Sequence, residues 1–203
     1  MDIEDLINPQ EIEELARQYG PIERRSFSLE RNGERCEHWR RALATRRGEV
    51  IFVVERPAGL ILHTKDTYPP GTYRLPSGGV SWGESVLSAL HREVREEMGL
   101  EIEVERFLGL LEYEIRCEEE TLPFVSYVFL IRDDGGELIP QDEEERILSF
   151  RQAPVAELAK VADSLRAVEE DWRDWGEFRA IAHDFVVETM GGIPDDDDTS
   201  KIR

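Results

Sequence analysis

Basic residues are scarce in this chain. Twenty-five Lys and Arg stand against 45 Asp and Glu, a formal charge of −20 at pH 7. Such a surface repels nucleic-acid backbones and anionic membranes, so duplex DNA, long RNA and membranes are not expected partners. Cysteine is nearly absent. The two that occur, Cys36 and Cys117, are far apart in the sequence and offer neither a zinc-ligand pattern nor a disulfide framework. Membrane-length apolar runs are missing, and the longest, at 102–117 and 122–132, read as strands. The first residues, Met1-Asp2-Ile3-Glu4-Asp5, are acidic and contain no apolar stretch of the secretory type. These absences set the expectation of a soluble, cytoplasmic protein. The 40% hydrophobic content is enough for a real core, and 203 residues suit one domain with additions.

The most informative stretch is residues 78–100, Gly-Gly-Val-Ser-Trp-Gly-Glu-Ser-Val-Leu-Ser-Ala-Leu-His-Arg-Glu-Val-Arg-Glu-Glu-Met-Gly-Leu. Leu87, Leu90, Val94 and Met98 recur at three- and four-residue spacing, the core stripe of a short helix. Glu93, Glu96 and Glu97 fall on another flank of that helix, and Glu84 stands at its start. Three carboxylates so close repel one another unless a cation lies between them. Mg2+ takes oxygen ligands and keeps several waters, so a few carboxylates suffice to hold it. A divalent cation neutralises a pyrophosphate and polarises its phosphoryl oxygens for attack by water. Gly99 is placed as a left-handed C-cap, and Leu75-Pro76-Ser77-Gly78-Gly79 reads as a tight loop.

This stretch resembles the signature of the Nudix hydrolases, and every fixed position matches: Gly78, Glu84, Arg92, Glu93, Val94, Glu96, Glu97, Gly99 and Leu100. The resemblance implies a hydrolase of pyrophosphate linkages that uses Mg2+, with Mn2+ as a substitute. It implies Glu93, Glu96, Glu97 and the backbone carbonyl near Gly78 as metal ligands. Arg92 resembles the arginine that orients the catalytic glutamates. Ser77 stands where many members have glycine; it lies outside the fixed positions and is given no weight.

Along the chain, residues 10–19 read as a helix with Ile12, Leu15 and Ala16 inward. Residues 21–45 read as a β-hairpin turning at Asn32-Gly33. Strands follow at 49–55, 59–64, 102–117, 122–132 and 146–151, with a turn at Asp133-Asp134-Gly135-Gly136. Residues 154–167 and 170–190 read as helices, and the acidic stretch after Gly191 as a disordered tail. The expected layout is an N-terminal extension at 1–46, a core at 47–160, a C-terminal helical extension at 161–190 and a tail at 191–203. Mixed strands flanked by helices give the α/β class, an α/β/α sandwich, which agrees with the Nudix-type fold.

Other residues are candidates by type and place. Arg56, Lys65 and Arg74 flank the expected cleft and suit a phosphate clamp. The resemblance points to a further metal ligand or general base near Asp142-Glu143-Glu144-Glu145, with Glu143 or Glu144 as the expected group. Tyr113 and Tyr127 fit sheet-face packing better than base stacking. Trp172, Trp175, Phe178 and Phe185 stripe the last helix as core or subunit contacts. His38, His63, His91 and His183 form no ligand pattern.

The substrate expected is a small nucleoside diphosphate derivative of the ADP-ribose or nucleotide-sugar type. The N-terminal hairpin resembles an extension that aids dimerisation in those enzymes, so a homodimer is expected. Against ADP-ribose, no proline lies near residue 116, where members that cleave it tend to have one. The alternatives are a nucleoside triphosphate pool-cleaning enzyme and a non-catalytic nucleotide-binding module of the same fold.

Overall fold

The computed structural model describes residues 1–133 and 136–191. The middle of the turn expected at 133–136 and all of the expected tail beyond Gly191 lie outside the described residues. Seven strands form one mixed sheet: β1 Glu23–Glu30, β2 Arg46–Arg56, β3 Gly59–Lys65, β4 Ser77–Ser81, β5 Ile102–Arg116, β6 Thr121–Asp133 and β7 Ile147–Ala153. Their order is β1-β5-β6-β2-β3-β7, with β4 paired to β2. The β1–β5 and β2–β6 pairs are parallel and the other pairs antiparallel. Among the described residues, six α-helices accompany the sheet: α1 Ile3–Leu6, α2 Pro9–Tyr19, α3 Gly33–Thr45, α4 Val86–Met98, α5 Leu158–Arg166 and α6 Arg173–Met190.

Glu-Val-Ile-Phe-Val-Val at the centre of β2 explains the layering. Val50, Ile51, Phe52, Val53 and Val54 are all buried, although successive side chains point to opposite faces. A strand buried on both faces needs cover on both sides, which makes the fold an α/β sandwich. The strands expected at 49–55, 59–64, 102–117, 122–132 and 146–151 are all present. Tyr113, Tyr127, Phe178 and Phe185 belong to the core, so neither tyrosine is free to stack on a base.

Residues 21–45 do not form the expected hairpin. Phe27 and Leu29 do lie on a strand, but β1 pairs in parallel with β5. The chain then enters α3 with extended Asn32 as its N-cap residue. Cys36, Trp39, Ala42 and Leu43 are buried at helical spacing. Burial of that stripe outweighs the local turn preference of Asn-Gly.

The cysteines also depart from expectation, because Cys36 and Cys117 are joined in a disulfide, with Cα atoms 6.2 Å apart. Register explains the meeting. Glu30 lies beside Arg116, and Arg31 N–H donates to the Arg116 carbonyl at 2.8 Å. The first turn of α3 therefore starts next to Cys117. A pairing made by a parallel strand contact leaves no trace in sequence spacing.

The N-terminal helices brace the start of α4 through Arg47. Its buried guanidinium donates to the Leu6 carbonyl at 3.0 Å, to the Tyr127 hydroxyl at 2.9 Å and to Glu11 at 2.7 Å. The other oxygen of Glu11 accepts the Val86 N–H, the first of α4, at 2.6 Å. Ser85 caps the helix through Ser88 N–H at 3.2 Å, and Gly99 closes it in the left-handed conformation at φ 69°.

Candidate active site

The helix α4 buries Leu90, Val94 and Met98 against the sheet and turns Glu93 and Glu97, one turn apart, toward β4. Between them and the ends of β2, β3 and α6 lies a cleft of ≈ 390 Å³. Gly78 is required there. A Cβ on it would meet the Glu93 carboxylate carbon at 2.0 Å, so only glycine lets the β4 backbone close on that side chain.

Arg92 organises one side of the site. Its guanidinium donates to both oxygens of Glu84 at 2.9 Å, to Glu93 at 2.7 Å, to Glu96 at 3.0 Å and to the Gly79 carbonyl at 2.9 Å. The Arg92 hydrogen bond holds Glu84 below the usual carboxylate range. Burial raises the pKa of Glu93 despite the opposing pull of Arg92. Glu96 is the most exposed of the three helix glutamates, and Arg92 holds it beside Glu93.

Glu97 occupies the deepest position. Lys65 Nζ donates to its Oε1 at 2.9 Å, and Oε2 is buried without a hydrogen-bond partner. Burial pushes its carboxyl up to about 7, with Lys65 and Arg74 pulling the other way. His63 Nδ1 lies 3.6 Å from Oε2, but burial, then Arg74 and Lys65, hold the imidazole well below its ordinary pKa. The contact is therefore not an ion pair.

Lys65 also binds Glu145, the last residue of a 3-10 turn at Glu143–Glu145. Burial tends to raise Glu145, but the Lys65 hydrogen bond and charge outweigh it, and the group sits below its ordinary value. The third carboxylate of the cleft is therefore Glu145. Glu143 and Glu144, expected from the sequence, are exposed outside it. Arg56 is displaced as well. It pairs with Asp133 at 2.7 Å and donates to the Gly136 carbonyl, and it does not line the cleft.

Arg74 stands where expected. It is buried, donates to the Leu75 carbonyl at 2.6 Å and to Ser77 Oγ at 3.1 Å, and reaches the Tyr68 hydroxyl at 2.9 Å. Ser77, given no weight in the sequence, is a junction. Its Oγ accepts from Arg74 and, at 3.0 Å, from Arg179, and donates to Glu49 at 3.3 Å. Arg179 also binds Glu49 at 2.8 Å, and its charge and hydrogen bond hold that buried carboxylate low against the upward push of burial. Arg46 lines the same cleft, and its guanidinium has no ion-pair partner among the described residues. Sequence reasoning passed over Arg46, Glu49 and Arg179. An arginine amid the buried face of α6 was the one available signal.

Among the described residues, no three His, Cys, Asp or Glu side chains close a coordination sphere by themselves. The donors nonetheless suit a hard cation. Glu93, Glu97 and the Gly78 carbonyl offer oxygen, and the buried Glu97 Oε2 has no hydrogen-bond partner. A hard divalent cation is the kind of ion such oxygen donors would hold.

Among known proteins, the human 8-oxo-dGDP phosphatase NUDT18 is 34% identical over 95 residues, 47% of this chain and 27% of that protein. The NAD-capped RNA hydrolase NudC of Stutzerimonas stutzeri is 33% identical over 98 residues, 47% of this chain and 32% of that protein. The ADP-ribose pyrophosphatase of Methanocaldococcus jannaschii is 29% identical over 124 residues, 61% of this chain and 70% of that protein. The chain thus spans about a third or less of the length of the first two. The family model of the NUDIX domain matches residues 44–175, which take in the whole glutamate helix and the strands that frame the cleft. The chain therefore belongs to the NUDIX domain family of hydrolases.

Proposed function

We propose that this protein hydrolyses the pyrophosphate bond of a small nucleoside diphosphate derivative, with ADP-ribose and nucleotide sugars as the favoured class, and that it does so with Mg2+ or, in its place, Mn2+. The carrying observation is the buried, partnerless Glu97 Oε2 beside Glu93 and Gly78, facing a wall of Lys65, Arg74 and Arg46. The ADP-ribose pyrophosphatase among the relatives supports the substrate class.

In this reading Glu93, Glu96, Glu97 and the Gly78 carbonyl hold the cation. A cation held there would supply charge neutralisation for the diphosphate and polarisation of a phosphoryl oxygen. Arg92 fixes the rotamers of Glu93 and Glu96 through its fork of hydrogen bonds. Glu145, ionised at neutral pH, takes a proton from the attacking water. Lys65 holds Glu145 and Glu97 at a fixed separation. Arg46 and Arg74 face the outgoing charge of the phosphates.

The test is a panel of ADP-ribose, nucleotide sugars and deoxynucleoside triphosphates with Mg2+ or Mn2+, read by phosphate or nucleotide release. Turnover of the diphosphate derivatives is expected, with loss in EDTA and return on adding metal. Undiminished turnover in EDTA overturns the mechanism, and preferential turnover of triphosphates moves the pool-cleaning alternative forward. A homodimer that uses residues 21–45 or the helix at 170–190 is part of the proposal. The hairpin is absent, and Phe178 and Phe185 are spent on the core. Light scattering that gives only 23.5 kDa across micromolar concentrations removes it.

A further inference from the structure

Three of the four tryptophans, Trp39, Trp172 and Trp175, line one hollow of ≈ 370 Å³ between α3 and the start of α6. His38 adds a fourth ring, and the Arg35–Asp174 ion pair, at 3.1 Å, lies on its border. Trp172 and Trp175 meet edge to face with centroids 5.4 Å apart. Trp175 packs on Tyr68, whose hydroxyl accepts from Arg74 of the catalytic cleft.

The same two helices serve both cavities. On α6, Trp175 lines the hollow and Arg179, four residues later, lines the cleft. On α3, His38 lines the hollow, while Thr45 at the helix end and Arg46 after it line the cleft. At 1.5 Å rise per residue, Trp175 and Arg179 are about 6 Å apart along α6, and His38 and Thr45 about 10 Å apart along α3. The His38 imidazole lies within the electrostatic reach of Arg46 and Arg179. A ribose imposes an offset of this order between a base and its phosphates.

We infer that this hollow is a base subsite, which takes the aromatic base of a nucleotide whose diphosphate lies between Arg46 and the box glutamates. Aromatic side chains stack on any base, because every base has a π face. The volume falls in the range of ligand pockets, roughly 300–1,000 Å³. Both signs of charge stand at the border and pair with each other, so the hollow offers an aromatic surface and no anion clamp. Its α3 wall lies outside the segment matched by the family model, so it is a property of this chain. The inference rests on the proposed hydrolase reading only for where the diphosphate sits.

The test uses the tryptophans as reporters. In EDTA, which prevents turnover, ADP, GDP, CDP, UDP and inorganic pyrophosphate are each titrated into the full chain with excitation at the red edge of tryptophan absorption. At least one nucleoside diphosphate should quench the fluorescence and bind about tenfold more tightly than pyrophosphate. Trp172→Ala, at a half-buried position, should erase that preference and leave pyrophosphate binding unchanged. His38→Ala, on the outer side of α3, should reduce the preference and serves if the tryptophan variant misfolds. Equal affinity for pyrophosphate and all four nucleotides, or a preference that survives both substitutions, overturns the subsite. If base-dependent quenching is seen but no pyrophosphate substrate is hydrolysed with metal, the hydrolase reading fails and the subsite stands. If Glu97-dependent turnover is seen with KM insensitive to Trp172, the reverse holds.

Discussion

Glu97 sits between two opposing influences. Burial favours its neutral form, while Lys65 and Arg74 favour its charge. Glu97→Gln keeps the shape, removes the charge and leaves Lys65 an oxygen to bind. With Mg2+ present, kcat should fall at least about 10²-fold, while the thermal midpoint stays level or rises. A variant with near-normal kcat would place the metal site elsewhere. Its neighbour across Lys65 gives a sharper contrast. Glu145→Gln should lower kcat by about 10²-fold, whereas Glu143→Gln and Glu144→Gln should leave it unchanged; steady-state kinetics on the three variants decides. The box residues were legible because four-residue spacing on a helix fixes their common direction. Which member of Asp142-Glu143-Glu144-Glu145 turns inward was not. A 3-10 turn ending in Arg146 at φ 55° sets that register, and the run of like residues carries no periodic mark.

The helix α6 holds the loop that leads into the box. His183 Nε2 accepts the Leu75 N–H at 3.0 Å, and its Nδ1 faces the Arg179 carbonyl at 2.9 Å. The ring is therefore the neutral Nδ1–H tautomer, and burial lowers its pKa to about 4. A base whose folded pKa is depressed stabilises the fold above its unfolded value, near 6.5, and loses that contribution as pH falls toward 4. The loss amounts to about 3 kcal/mol at most. Urea midpoints between pH 7 and pH 4 should decline less steeply in His183→Leu than in the native protein; parallel slopes would assign the decline to other groups. At this scale the sequence was readable where an apolar run or one helical period dominated, as in β5 and β6, and in α4 and α6. It misled at residues 33–45, where a two-residue turn signal lay in front of a helical stripe.

The whole molecule carries its charge unevenly. The formal −20 is distributed over the chain, yet Arg46, Arg74, Arg179 and Lys65 line one cleft among the acidic groups. A small diphosphate reaches those cations, whereas a long polyanion must also cross the acidic surface, over a Debye length of about 8 Å at physiological salt. Fluorescence anisotropy with Mg2+ present should show no saturable binding to duplex DNA or long RNA. Submicromolar RNA binding would overturn the small-substrate reading. No described helix is long and apolar enough to cross a membrane. The Cys36–Cys117 bridge bears on the cytoplasmic expectation, because such bonds persist in oxidising compartments. Long-range placements of this kind, like the approach of α3 to α6, depend on sheet order, and no local pattern encodes sheet order.

The contact between Glu11 and the first amide of α4 has a practical consequence for dissecting the chain. The family match begins at residue 44, and a fragment cut there would look self-sufficient by alignment. It would lack the carboxylate that satisfies Val86 N–H, and Arg47 would lose both Glu11 and the Leu6 carbonyl. A fragment that keeps these contacts therefore starts ahead of Leu6, and a fusion or cleavage site placed between α2 and β2 would part Glu11 and the Leu6 carbonyl from the amino end of the glutamate helix.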